Sequence, residues 1–240
     1  MLQLAHQNLG NLQFGKELKD MPVRQHGENP RTGKKLIPSY EEIAKIVAAQ
    51  KTLGKVIVFL SGTWDLLHIG HCRYFHSAIE AAVESAAKTF GRVIAEEDVI
   101  LVVGVDNDAE VKVRKGEFRP IVPQEERIEM LTYLEDVDYV VLKQETQQSW
   151  ALAELLHPDY LILSESTTVV GSDRETMIAD IKKWAGEVLV LPAQATTSTT
   201  GKIRTLLTGT VANIRGEFDK LIDTITREFH SSLDKLSGGD

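Results

Sequence analysis

The chain has 240 residues, of which 42% are hydrophobic, and this predicts a globular protein built from one α/β domain with additions. Its formal net charge of -8 argues against a nucleic-acid partner, because binding along a phosphate backbone requires a basic surface. There is no apolar run of roughly 20 residues and no signal-peptide pattern, so we expect a cytoplasmic protein with no membrane partner. The single cysteine, Cys72, permits no internal disulfide.

The N-terminal part of the sequence is interpreted as an extension followed by one helix, together covering residues 1–50. Residues 1–38 are polar and irregular and contain four glycines. A helix is predicted to begin after Ser39, because Glu42 stands three residues later in the capping-box pattern. The apolar residues that follow share one helical face, which we expect to pack beside the core: Ile43, Ile46 and Val47.

The main domain is predicted over residues 51–210, where short apolar runs alternate with helical patterns. The runs predicted as strands are Val56 to Leu60, Val99 to Val105, Val137 to Leu142, Tyr160 to Leu163 and Val188 to Leu191. Continuous apolar strands separated by helices indicate a parallel sheet covered on both faces. We therefore expect a Rossmann-like, doubly wound α/β fold, in which ligands bind outside the carboxyl ends of the strands.

The last segment, residues 211–240, is predicted to form an amphipathic C-terminal helix. Its apolar residues recur at helical spacing: Phe218, Leu221, Ile222, Ile225, Phe229 and Leu233. Such a face should be buried, and packing onto the chain's own domain is the favoured interpretation. The alternative is a contact between two copies of the chain, in a homodimer.

The most informative segment follows the first predicted strand and reads Ser61-Gly-Thr-Trp-Asp-Leu-Leu-His68-Ile-Gly-His71. The strand delivers it to the carboxyl edge of the sheet, and Gly62 permits close approach of a ligand to the backbone. His68 and His71 then share one face in the first turn of a helix, beside backbone N–H groups that favour anions. The pattern predicts a phosphate site. Metal ligation and a purely structural role are the alternatives, but a zinc site would require further cysteine or histidine ligands nearby.

Two later segments carry groups suited to the same phosphate site. After the second strand, Asp106 and Asp108 precede a group of cations placed to meet a polyanion: Lys112, Arg114, Lys115, Arg119 and Arg127. A solvated basic loop is the alternative. After the fifth strand, residues 196–200 read Thr-Thr-Ser-Thr-Thr, and their hydroxyls either cap a helix or donate hydrogen bonds to phosphate oxygens.

These three segments resemble the signatures of one known family. The histidine segment matches the Gly-Thr-Phe-Asp-x-x-His-x-Gly-His pattern of the cytidylyltransferase-like nucleotidyltransferases, with Trp64 in place of phenylalanine. The order Asp108-x-x-x-Lys112-x-x-Lys115-Gly-x-x-Arg119-Pro resembles the same superfamily, most of all the adenylyltransferase half of ADP-heptose synthases. It is also similar to archaeal FAD synthases and glycerol-3-phosphate cytidylyltransferases. The threonine-rich segment matches the family's Ser-Thr-Thr-x-x-Ile signature.

The resemblance implies an enzyme that transfers a nucleoside monophosphate from ATP or CTP to a phosphorylated small acceptor and releases pyrophosphate. The acceptor would be a sugar phosphate, a phosphoalcohol or FMN. Mg²⁺ would be bound mainly through the nucleotide phosphates, so no protein residue is assigned as a metal ligand. Two other classes remain open: a non-catalytic nucleotide sensor on the same fold, and an adenylate-forming enzyme that resembles aminoacyl-tRNA synthetases and uses a carboxylate acceptor.

The resemblance also implies roles for individual residues. Catalysis would fall to His68, His71 and Lys112. Nucleotide-binding residues would be Gly62, Thr63, Trp64, Asp65, Arg127, Thr197, Ser198, Thr199 and Thr200. Acceptor-binding residues would be Asp106, Asp108, Lys115 and Arg119. After the fourth strand the chain has Leu163-Ser-Glu165-Ser-Thr-Thr where many relatives carry Gly-Gly-Asp, so neither the base nor the acceptor can be assigned by this resemblance.

Overall fold

The computed structural model describes residues 33–90, 93–144, 150–165, 174–196 and 198–237. Five strands alternate with helices along these ranges. The strands are β1 (Val56–Gly62), β2 (Val99–Val105), β3 (Tyr139–Leu142), β4 (Tyr160–Ser164) and β5 (Glu187–Leu191). The helices are α1 (Tyr40–Thr52), α2 (Ile69–Phe90), α3 (Asp108–Lys115), α4 (Gln124–Thr132), α5 (Ala151–Leu156), α6 (Arg174–Ile181) and α7 (Thr199–Ser237), with a 3-10 turn at Glu96–Asp98.

The five strands form one parallel sheet in the order β3-β2-β1-β4-β5. The chain builds outward from β1 to β3, then crosses back and continues from β4 to β5 on the other side. This reversal lies between β1 and β4, and folds of this kind bind their ligands at such a reversal, outside the carboxyl ends of the strands. The predicted Rossmann-like α/β fold is confirmed.

Both faces of the sheet are covered, as the continuous apolar strands predicted. Along β1, Val56, Val58 and Leu60 pack into one hydrophobic cluster, and Ile57 and Phe59 pack into the other, because successive side chains of a strand point to opposite faces. The first cluster is closed by α2, through residues such as Phe75, Ala78 and Ala82. The second cluster is closed by α1 and α5, through Ile43, Val47 and Leu152.

The segment before α1 is more regular than the sequence indicated. Leu36 forms a parallel bridge with Val140 of β3, and the backbone N–H of Ile37 donates to the carbonyl of Val140 at 3.0 Å. Residues 35–37 therefore extend the sheet at its β3 edge, which revises the interpretation of 1–38 as irregular throughout. Ser39 accepts a hydrogen bond from the backbone N–H of Glu42 and caps α1, as predicted. Residues 1–32 lie outside the described part of the chain.

Helix α7 is one continuous element that passes through the boundary proposed at residue 210. Beyond Ile203, its described side chains are exposed to solvent. The favoured interpretation was that the apolar face of residues 211–240 packs onto the chain's own domain, but the described part of the domain does not cover residues 211–230: Phe218, for example, is 60% exposed. The helix leaves the domain instead of folding back over it. No helix among the described residues is long and apolar enough to cross a bilayer.

Candidate active site

The loop after β1 is a tight turn supported by the core. Trp64 and Leu66 have φ angles of 55° and 45°, in the left-handed region that residues other than glycine seldom adopt. The Trp64 indole is buried and donates its Nε1–H to the carbonyl of Gly104 at 2.9 Å. A Cβ added to Gly62 would lie 3.0 Å from the Trp64 ring. Gly62 and Trp64 were both predicted to bind nucleotide. In the structure they also determine the shape of the loop, because the absence of a side chain at Gly62 leaves space for the indole.

This turn presents two stacked imidazoles at the start of α2. The ring centroids of His68 and His71 are 3.9 Å apart and the ring planes differ by 22°. The backbone N–H of Gly70 donates to Nδ1 of His68 at 3.1 Å, and the backbone N–H of His68 points at Nδ1 of His71 at 3.4 Å. Because Nδ1 is the acceptor in both rings, the proton of each neutral imidazole is carried by Nε2. A Cβ at Gly70 would lie 2.9 Å from the His68 ring, so a larger residue there would displace this imidazole.

Both imidazoles are held in the neutral form. Burial, assisted by His68 and Lys115, lowers the pKa of His71 to about 4. Burial, assisted by the charge of Lys202, also lowers the pKa of His68. At neutral pH the pair therefore offers two uncharged Nε2–H donors in fixed orientation, in the first turn of a helix that favours anions.

Asp65 anchors the loop before α4. Its carboxylate accepts hydrogen bonds from Nε of Arg119 at 2.9 Å and from the backbone N–H groups of Ile121 and Val122 at 3.0 to 3.2 Å. Its backbone carbonyl accepts from the Thr199 hydroxyl at 2.6 Å, which attaches the start of α7 to the same turn. Asp65 and Arg119 had been assigned to nucleotide and acceptor, but the structure pairs them with each other.

Asp106 forms the centre of a buried ionic cluster. Its Oδ1 accepts from Nζ of Lys143 at 2.9 Å, and its Oδ2 accepts from the Thr63 hydroxyl at 3.2 Å and from Nη2 of Arg114. Burial acts to raise the pKa of Asp106, but the charges of Lys143 and Arg114 outweigh it and hold the pKa below its usual value. Both oxygens of Asp106 thus have partners within the chain, and its predicted contact with an acceptor stays a prediction.

The Arg127 side chain forms hydrogen bonds with three loops at this edge of the sheet. Its buried guanidinium donates from Nε to the carbonyl of Val122 at 3.0 Å, from Nη1 to the carbonyl of Thr63, and from Nη2 to the carbonyl of Asp106 at 2.8 Å. Nη2 also donates to Oδ1 of Asp108 at 2.7 Å. The planar fork of Arg127 is therefore engaged by the loops, and its predicted contact with nucleotide stays a prediction.

The residues of these contacts are called the edge network below: Thr63, Asp65, Asp106, Asp108, Arg114, Arg119, Arg127 and Lys143. Sequence reasoning did not assign Lys143, although a signal for it existed. Lys143 follows the carboxyl end of β3 directly, just as Asp106 follows that of β2. The same positional rule that selected Asp106 would have selected Lys143.

The start of α7 forms the third side of the site. The Ser198 hydroxyl accepts from the backbone N–H of Gly201 at 3.0 Å, so Ser198 caps the helix. Thr200 is exposed beside it, and Thr197 lies outside the described residues. Lys202, one turn into the helix and not assigned from sequence, is near enough for its charge to affect His68. Of the two lysines predicted on α3, Lys115 lies near enough for its charge to lower the pKa of His71. Lys112 is exposed to solvent.

Comparison with known proteins finds a family and several relatives for this chain. The sequence model of the family described as cytidylyltransferase-like matches residues 59–233. The bifunctional protein HldE of Aliarcobacter butzleri is 36% identical over 171 residues, which are 70% of this chain and 31% of that protein. The protein of the same name from Geotalea uraniireducens is 34% identical over 178 residues, 73% of this chain and 32% of its own length.

The chain thus spans about a third of the length of these curated relatives. Among solved structures, the lipopolysaccharide core biosynthesis protein from Thermoplasma volcanium is 21% identical, with a TM-score of 0.43, and the match covers 57% of this chain and 95% of that one.

Proposed function

The chain belongs to the cytidylyltransferase-like family, and we propose that it is a nucleotidyltransferase that transfers a nucleoside monophosphate from ATP or CTP to a phosphorylated small acceptor. One observation carries the proposal: His68 and His71 are stacked, neutral and oriented by backbone N–H groups, with both Nε2–H donors left to a ligand. Hydrogen-bond donors that are fixed before the reaction stabilise the negative charge that develops on a phosphate in the transition state.

The reaction that suits this arrangement is an attack by an acceptor phosphate oxygen on the α-phosphorus of the nucleoside triphosphate. A bond forms between that oxygen and the α-phosphorus, and the bond to the β-phosphate breaks and releases pyrophosphate. A phosphate monoester is already a nucleophile at neutral pH, so the protein supplies position and charge. His68 and His71 would donate to phosphate oxygens as negative charge builds there.

The cations and hydroxyls around the imidazoles suit the other phosphates. Ser198, Thr199 and the N-terminal backbone of α7 would steady the departing pyrophosphate, since a helix start favours negative charge. Lys202, on the same helix, adds a positive charge near His68. Lys112 and Lys115, on α3, would attract the triphosphate or the acceptor phosphate. Thr200 and Thr197 belong to the same proposed site.

Mg²⁺ fits this site as an ion carried by the nucleotide. The carboxylates nearest the imidazoles are engaged, Asp65 by Arg119 and Asp106 by Lys143 and Arg114. The described residues contain no group of three metal-ligating side chains that could form a cage. When bound, the ion would neutralise phosphate charge, and phosphate oxygens and water would be most of its ligands.

The test is a crossed screen of ATP and CTP against sugar phosphates, phosphoalcohols and FMN, with pyrophosphate release as the readout. We expect release with one combination, and loss of release in His68→Ala but not in the control His76→Ala, whose imidazole is exposed on the same helix. Thermal shift measures binding separately: a triphosphate at about 100 times its dissociation constant should stabilise the protein by roughly 2.7 kcal/mol.

The outcomes separate the three classes of function. Binding of a triphosphate without pyrophosphate release for any acceptor would favour a nucleotide sensor. Pyrophosphate exchange that depends on a carboxylate would favour an adenylate-forming enzyme. Absence of any thermal shift at millimolar triphosphate would contradict the nucleotide site itself. Cytoplasmic location and the absence of nucleic-acid and membrane partners remain part of the proposal.

A further inference from the structure

The exposed part of α7 carries an unusual concentration of apolar side chains. Nine large ones are between 50% and 68% exposed: Leu206, Leu207, Val211, Ile214, Phe218, Leu221, Ile222, Ile225 and Phe229. Single exposed apolar residues are normal on protein surfaces, but a continuous apolar face along a helix marks a binding surface. The described residues of the domain do not cover it.

Six of these residues repeat with the period of a coiled coil. From Leu207 to Ile225 the steps between them are 4, 3, 4, 3 and 4 residues, and the six are Leu207, Val211, Ile214, Phe218, Leu221 and Ile225. This is the heptad spacing of positions a and d, which forms a straight seam against a second helix. We call these six residues the seam. Leu206 lies off the seam, and Ile222 and Phe229 flank it.

The composition of α7 indicates that the helix depends on a partner. Gly209 and Gly216 stand within it, and each costs about 1 kcal/mol relative to alanine in a helix interior. Several threonines add β-branched side chains, of which Thr205, Thr208, Thr210 and Thr224 bond back to the backbone carbonyl four residues earlier. Most helical stability in proteins comes from packing of the apolar face, so a helix of this composition needs its seam covered.

We propose that the seam is covered by the same helix of a second copy of this chain, which makes the protein a homodimer joined by a coiled coil. The exposed area is sufficient for a dimer. The six seam residues and the two that flank them, Ile222 and Phe229, contribute roughly 100 Å² each, or on the order of 800 Å² per chain. This is the usual contribution of one partner to a stable interface. Charge disfavours an anionic membrane as the occupant, because residues 199–237 contain six Lys and Arg and five Asp and Glu.

The seam lies on a helix whose first residue contacts the proposed active site. The same helix begins at Thr199, whose hydroxyl bonds to the carbonyl of Asp65 beside the imidazoles. Pairing of two α7 helices would therefore fix the direction in which α7 leaves the site. The dimer itself does not depend on the proposed catalytic activity, and the measurement below contains no substrate.

The experiment is sedimentation equilibrium of the full chain over a range of concentrations. We expect wild type to have twice the 26.7 kDa mass of one chain at micromolar concentration. Leu221→Ser, in the seam, should raise the dissociation constant at least a hundredfold, since both copies lose the side chain. Leu206→Ser, the same change off the seam, should leave the dimer intact.

Three results would overturn the proposal. The first is a monomeric wild type up to 100 μM, a result that does not depend on any variant folding. The second is equal weakening by Leu221→Ser and Leu206→Ser. The third is a monomer that binds vesicles of equal parts phosphatidylcholine and phosphatidylglycerol, which would assign the face to a membrane. Far-UV circular dichroism of both variants shows whether α7 remains helical.

Discussion

The edge network and α7 differ in where their side chains find partners. In the edge network, four of the charged groups are buried, Asp65, Asp106, Arg127 and Lys143, and each has a partner within the chain. Asp106 alone has Lys143, Arg114 and Thr63. In α7, large apolar side chains face solvent. No buried side-chain nitrogen or oxygen among the described residues lacks a hydrogen bond, so the first region is complete as it stands. In the second region, the described residues leave an apolar face uncovered.

The largest effect is expected from breaking the centre of the edge network. Arg127→Met should lower the free energy of unfolding by about 3–5 kcal/mol, because it leaves Asp108 and three loop carbonyls without their donor. Urea denaturation measures this. Arg73→Met, an exposed arginine on α2, should change it by less than about 0.5 kcal/mol. Equal losses in the two variants would mean that the network does not stabilise the fold.

The second-largest effect is expected on the rate of nucleotidyl transfer, when either motif histidine is replaced. His68→Ala or His71→Ala should lower kcat roughly a hundred- to a thousandfold, the loss typical of one preorganised donor, with a smaller effect on KM. His76→Ala should keep normal turnover. Steady-state kinetics with the acceptor found by the screen gives both constants. Near-normal kcat in both variants would make the imidazoles structural.

A third prediction concerns pH. The pKa of His71 in the folded protein is about 4, below the 6.5 of an unfolded histidine. As pH falls through 6.5, the unfolded chain binds a proton before the folded one does. Stability should therefore decrease between about pH 6.5 and 4, with a slope of at most about 1.4 kcal/mol per pH unit from this group.

Denaturation of His71→Gln across the same range should show a shallower decrease than wild type. His76→Gln serves as the control and should follow wild type. Asp106, whose pKa is lowered, would lose its contribution only at more acidic pH, below about 4, so the two groups separate on the pH axis. An unchanged slope in His71→Gln would show that this imidazole is not held neutral.

Lys112 should behave differently from the histidines. It is exposed on α3, and Lys112→Ala is expected to raise KM about tenfold in addition to lowering kcat, because its charge attracts phosphates before reaction as well as during it. The matched variant Lys88→Ala, far along α2, should leave both constants unchanged. A change in kcat alone would place Lys112 among groups that act only in the transition state.

The smallest effect on stability should come from α7. A chain ending at Arg215 loses the exposed side chains of residues 216–230, so the free energy of unfolding of the domain should change by less than about 0.5 kcal/mol. Its mass in solution should fall to that of a monomer, since half of the seam, Phe218, Leu221 and Ile225, is gone. A large loss of domain stability together with an unchanged mass would show that α7 folds back onto its own domain.

Features that depend on neighbouring residues were readable from the sequence. The five strands and their parallel sheet followed from apolar runs separated by helices, and the cap at Ser39 followed from a local pattern. The start of α2 at the histidines was also evident, because imidazoles, glycine and helix start all lie within four residues. Each of these depends on chemistry close together along the chain.

The partners of charged side chains were decided by the tertiary structure. Arg127 was assigned to a ligand because arginine suits phosphate, but the sheet order brings the loops at Thr63, Asp106 and Val122 around it. Those loops are far apart in sequence, and no local pattern states that they meet. Gly62 likewise serves the Trp64 ring, a contact that exists only once the turn has formed.

The same reason explains α7. Its amphipathic pattern determined that a helix would form and that one face would require cover. Which surface covers that face depends on where the helix points when it leaves β5 and the active site, and periodicity holds no information about that direction. Sequence therefore determined the elements and the chemistry at the sheet edge. Tertiary structure decided which polar groups meet each other and which apolar face was left for a partner.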